Sequence, residues 1–121
     1  ADFAGFQSAV EWMEGLGWDR VLGRVQGLVQ HAVDRVREQG PAGLSLASPS
    51  SGADRSGVFV IRLPSRCDAT DVYNYLASEQ QILTSPVRRE GDLRLAIHFF
   101  NTEDEIDHAL DAVVSACTSN R

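Results

Sequence analysis

The chain has 121 residues, 43% hydrophobic and 23% charged, the make-up of one ordinary globular domain that can bury a core. Its net charge of −6 argues against a nucleic-acid partner, and Arg88-Arg89, the local basic cluster of the second half, is too small to track phosphates. No apolar run approaches the roughly 18 residues of a membrane span and no signal peptide opens the chain, so a cytoplasmic protein with no membrane partner is expected.

The first segment, Asp2–Gly15, spaces Phe3, Phe6, Val10 and Met13 for a helix, with Ala9 and Trp12 widening the stripe. Gly15 and Gly17 bracket Leu16 and break it. A second helix starts near Trp18-Asp19, with Asp19 as its expected N-cap. Its stripe of Val21, Leu22, Val25, Leu28, Val29, Ala32, Val33 and Val36 runs about five turns to a stop at Gly40-Pro41. The pair reads as a packed helical layer. His31 lies within it, and as a metal ligand it lacks partners at suitable spacing, so no metal site is expected.

From Gly43 the period shortens. Gly43–Ser48 is a weak strand, 48–57 (SPSSGADRSG) an exposed connection, and Gly57–Leu63 (GVFVIRL) a strong strand ended by Pro64. Asp68 or Thr70 caps a helix that carries Ala69, Val72, Tyr73, Leu76 and Ala77. Then come 82–87 (ILTSPV), a turn at Arg89–Asp92, and the strand Leu93–Phe99. Thr102 and Glu105 form a capping box for a closing helix whose stripe is Ile106, Ala109, Leu110, Val113, Val114 and Cys117. Asp104, Glu105 and Asp107 add negative charge near the positive end of its dipole. Cys67 and Cys117 stand far apart in sequence with no metal-type spacing, and read as small, partly buried thiols suited to a reducing compartment.

The order α-α-β-β-α-β-β-α implies an α+β fold, a small, mostly antiparallel sheet with helices on one face, preceded by a long helical segment. In Leu93–Phe99, alternation sends Leu93, Leu95, Ile97 and Phe99 to the buried face and Asp92, Arg94, Ala96 and His98 to the other. Arg94 carries a planar fork of donors that fits a carboxylate. From spacing alone the plainer reading stands: a solvated strand arginine paired with Asp92 or another acid.

Leu93–Asp107 (LRLAIHFFNTEDEID) resembles the closing motif of the class V family of pyridoxal-phosphate (PLP) enzymes, which includes cysteine desulfurases, selenocysteine lyases, isopenicillin N epimerase-like proteins and kynureninase relatives. Residues 11–36 resemble the long helix after that family's large domain, 55–64 the opening strand of its small domain, and 71–86 the helix and strand that follow. Four loose motifs in the correct order cover nearly the whole chain.

The resemblance implies that Arg94 receives the α-carboxylate of an amino-acid substrate, that Asn101 and Thr102 cap a turn, and that His98 has no chemical role. It implies PLP in the full-length enzyme, a homodimer, and a missing large domain of roughly 250–300 residues before Ala1. Residues 1–40 would be the helical connection from that domain and 41–121 the C-terminal small domain. All 11 basic residues are arginine, so the chain has no Schiff-base lysine. No catalytic or cofactor-binding residue is expected in it, and alone it should be inactive. The family's desulfurases carry a cysteine in the loop before the arginine. Here 85–92 (SPVRREGD) has none, which favours a C–S lyase or epimerase branch. The alternative is a free-standing regulatory or dimerisation module that binds a small carboxylate.

Overall fold

In the computed structural model, which describes residues 2–38, 43–48, 57–82, 84–86 and 91–119, the elements alternate as the periodicities imply. They are α1 (Asp2–Leu16), α2 (Trp18–Glu38), β1 (Ser45–Leu46), β2 (Val58–Arg62), α3 (Ala69–Glu79), β3 (Ser85–Pro86), β4 (Asp92–Ala96) and α4 (Glu103–Ser119). The strands form one antiparallel sheet in the order β1-β2-β4-β3, with β2 and β4 at its centre. This is the expected α+β architecture. The stop at Gly40-Pro41, most of the 48–57 connection, and Arg88 and Arg89 lie outside the described residues.

The core lies between one sheet face and helices α2, α3 and α4. Phe59 and Ile61 of β2 and Leu93 of β4 point into it, where they meet Leu28, Val29 and Val33 of α2, Val72 and Leu76 of α3, and Val113 of α4. Burying each such side chain contributes about 1.5–3 kcal/mol. Because side chains alternate along a strand, Val58, Val60 and Arg62 of β2 must stand on the opposite, open face with Asp92, Arg94 and Ala96 of β4. Gly57 closes this arrangement. Its carbonyl accepts from Ile97 N–H at 2.7 Å, and a Cβ there would come 2.5 Å from the Ile97 carbonyl oxygen.

Three local readings change. Gly15 stays inside α1, and Gly17 alone makes the break, at φ +87° where a side chain would be strained. Its carbonyl accepts the first bond of α2, from Val21 N–H at 3.1 Å, so Gly17 holds the cap position. Asp19 falls in the first turn instead. The last strand ends at Ala96, and Phe99 sits in the following turn beside Trp12, ring centres 6.0 Å apart, rather than in the sheet's buried face. Finally, α1 is not a packed layer. None of its described side chains is buried, and Phe3 is 89% exposed. Helical spacing specifies a stripe, not what covers it.

Candidate functional site

Arg94 occupies the middle of β4, directly opposite Val60 on one side and Ser85 on the other. These neighbours are uncharged, the side chain is exposed, and among the described residues it forms no ion pair. Asp92 does not pair with it. That acid, 3% exposed although it stands on the open face, is held across the ladder by Arg62. Arg62 Nε donates to Asp92 Oδ1 at 3.0 Å and Nη2 to Oδ2 at 3.4 Å, a two-pronged contact that occupies both oxygens. The hydrogen bond first, and the negative charge second, raise the Arg62 guanidinium above its ordinary pKa. The expectation that Arg94 pairs with Asp92 is thus corrected. Sequence spacing reveals neighbours along one strand, whereas the acid's partner lies on another strand and is chosen by register.

The turn after β4 is fixed by local bonds. Asn101 Oδ1 accepts from His98 N–H at 2.8 Å, and the Asn101 amide reaches Glu105 at 3.4 Å. The capping box forms reciprocally: Glu105 N–H donates to Thr102 Oγ1 at 3.1 Å, and Thr102 N–H donates to Glu105 Oε1 at 3.1 Å. His98 is exposed, its ring stacked on Phe100. These residues set the chain direction after Arg94 and offer no reactive arrangement of their own.

Along the seam between α2 and α4 a line of ion pairs replaces the isolated His31 of the sequence reading. His31 Nε2 lies 2.8 Å from Asp107, Arg35 Nε 3.1 Å from the same carboxylate, and Arg24 Nη1 2.6 Å from Glu103. Asp107 therefore serves the neighbouring helix as well as its own dipole. Arg24, by its hydrogen bond, holds the Glu103 carboxyl below the usual range, helped by a backbone N–H. Among the described residues no group of three or more His, Cys, Asp or Glu could hold a metal ion.

Cys67 and Cys117 are also brought together. The Cys67 thiol points at the Cys117 carbonyl at 3.7 Å, and both side chains are buried in the core. Burial, then the hydrogen bond from Cys67, pushes the Cys117 thiol up to about 12. A cavity of about 440 Å³ opens between β4, the end of α3 and α4, with Phe59, Ile82, Leu95, Ile97 and Ile106 among its walls. Arg94 is not among its lining residues, although Ala96 of the same strand is. Gln80, Gln81, Asn101, Glu105 and His108 also line it, so its wall is mixed rather than apolar, and we locate the candidate site instead at Arg94 on the open sheet face.

Helix α2 leading into the sheet, the central β2–β4 ladder, and the turn and capped helix after Arg94 together form a recognisable unit. A search for protein-family models finds no match. The chain is 31% identical over 109 residues to an isopenicillin N epimerase of Amycolatopsis lactamdurans, covering 88% of this chain and 27% of that protein. It is 27% identical over 108 residues to the uncharacterized aminotransferase YcbU of Bacillus subtilis, covering 89% and 26%. Among solved structures, a lysine aminotransferase from M. tuberculosis superposes with a TM-score of 0.67 at 20% identity, over 93% of this chain and 24% of that one. An 8-amino-7-oxononanoate synthase from Francisella tularensis does so with 0.64 at 20% identity, over 91% and 31%.

The chain carries the fold of a C-terminal region of fold-type I, PLP-dependent aminotransferase-like enzymes. It spans about a quarter of the length of the curated relatives it matches. No helix among the described residues is long and apolar enough to cross a membrane.

Proposed function

We propose that this chain is the C-terminal domain of a PLP-dependent enzyme acting on an amino acid, and that Arg94 receives the substrate's α-carboxylate. The observation that carries this reading is an exposed guanidinium on the open sheet face, flanked by uncharged residues and free of ion pairs among the described residues. Such a group pairs with a carboxylate through two parallel charge-assisted bonds and fixes its plane as well as its position. PLP, when bound, supplies the electron sink for chemistry at the substrate's Cα. Arg94 orients that carbon by holding the carboxylate, which decides which of its bonds faces the cofactor. With no lysine in its 121 residues, this chain has no side-chain amine to anchor PLP as a Schiff base.

Residues 1–40 then serve as the connection from a large domain and 41–121 as the small domain, in an enzyme that is a homodimer. The exposed apolar stripe of α1 supports a surface that the large domain covers in the full-length protein. Within the family we favour the C–S lyase or epimerase branch over the desulfurases. Both cysteines lie in the core, away from the Arg94 face, and Cys117 stays protonated at neutral pH, so neither suits a sulfur-accepting thiolate.

The test compares L-alanine with ethylamine, which differ by the α-carboxylate, as calorimetric ligands of the full-length, PLP-loaded protein. Arg94→Ala should weaken L-alanine about 10- to 100-fold, as expected for loss of a charged hydrogen-bonded pair, while ethylamine binding and the visible absorbance of the cofactor persist. Unchanged L-alanine affinity would overturn the assignment, and loss of the cofactor absorbance would show that Arg94 has another role.

A further inference from the structure

Two arginines and one aspartate share the open face of the central strands, and one of the arginines is left without a charge partner among the described residues. Successive outward positions on a strand lie about 6.5–7 Å apart, and diagonal cross-strand neighbours about 7–8 Å, within reach of long side chains. Asp92 stands directly opposite Arg62 and two residues before Arg94. Either guanidinium can therefore reach it. In the structure Arg62 takes both of its oxygens, at 3.0 and 3.4 Å, and Arg94 stays open.

The acid's burial gives this choice its force. Asp92 is 3% exposed, whereas the side chain of Arg62 is 49% exposed and reaches in from the rim. A carboxylate so shielded from water is costly to leave unpaired, so it takes a cation wherever one is in range. If Arg62 were absent, the other cation on this face among the described residues of β2 and β4 is Arg94, two positions along the same strand. The carboxylate receptor would then be occupied from within the protein.

We propose that Arg62 is a positioning residue of the carboxylate site, holding Asp92 so that the Arg94 guanidinium remains open to the substrate. The proposal rests on the reading of Arg94 given above. It assigns Arg62 no contact with substrate or cofactor. Its action is electrostatic and indirect, through one buried acid.

This role predicts a pattern that a merely structural contact does not. Arg62→Ala in the full-length, PLP-loaded protein should weaken L-alanine about tenfold and leave ethylamine unchanged, because only the carboxylate competes with Asp92 for Arg94. Adding Asp92→Asn to that variant removes the competing charge and should bring L-alanine to within about twofold of the unmodified protein. Should Arg62→Ala fail to fold, Arg62→Gln keeps most of the stem and takes its place in the cycle. L-Alanine binding unmoved by loss of Arg62, or a double variant as weak as the single, overturns the positioning role. Arg94→Ala run in parallel separates the two claims. If it leaves L-alanine binding intact, the carboxylate reading itself falls. If it weakens binding while the Arg62 cycle stays flat, only the positioning role falls.

Discussion

Thr102 illustrates how far a single residue can be read from its neighbours. The box Thr102–Glu105 closes within four consecutive positions, so its geometry follows from local sequence and the structure reproduces it. Replacing Thr102 by Ala leaves Glu105 N–H without its acceptor and should cost about 1 kcal/mol, whereas Thr102→Ser should be close to neutral. Urea midpoints of the two variants check this, and equal midpoints for Ala and Ser would show that the hydroxyl is not the stabilising group. Arg62 and His31 were not legible in this way. GVFVIRL gives Arg62 its outward position, and α2 gives His31 its place on the helix, but their acids come from 30 and 76 residues further on. A signal existed for the helix seam: Arg24, His31 and Arg35 recur along one side of α2, and Glu103, Asp107 and Asp111 recur every four residues on α4. That pattern identifies two charged faces, and only packing shows that they meet.

At the scale of elements, periodicity located every helix and strand in the right order and misjudged what covers one of them. The α2 stripe is buried at Val21, Leu28, Val29, Ala32, Val33 and Val36 because the sheet lies against it. The α1 stripe is equally clear in sequence, yet none of its described side chains is buried, and Trp12 meets the Phe99 ring of the β4–α4 turn. A 15-residue helix without buried side chains is marginal by itself. In the isolated chain, amide hydrogens of residues 2–16 should therefore exchange far faster than those of 28–36, and deleting residues 1–16 should change stability by less than about 0.5 kcal/mol. Hydrogen exchange and urea unfolding measure both, and strong protection in α1 would mean that it has a partner surface in the chain alone. The strand ends moved for a comparable reason. Ile97 still pairs through Gly57, but the tight turn at Phe99-Phe100 takes the chain away before the alternation is complete.

For the molecule as a whole, charge acts mainly at the joins between layers. Glu103, at the start of α4, meets Arg24 of α2, and its carboxyl is held below the ordinary value near ~4.3. A depressed folded-state pKa stabilises above the unfolded value, and that contribution is lost as pH falls through the folded value. The stability difference between the unmodified chain and Glu103→Gln should thus be present at pH 6 and smaller at pH 3, a small effect because both side chains are well exposed. Urea midpoints at the two pH values read it, and a difference that stays constant would mean that the pair does not contribute through its charge. The sequence by itself determined the element order, the α+β class, the apolar stripe of each helix, the local cap at Thr102, and the absence of a lysine. These depend on residue identity and short spacing, which act within one or two turns of chain. Only the tertiary structure decided that Asp92 belongs to Arg62, with Arg94 in no ion pair among the described residues, that His31 meets Asp107, that the two cysteines adjoin, and that no described side chain of α1 is buried. Each of those depends on which distant segments are placed side by side, and that is set by ladder register and helix packing acting on the whole chain at once.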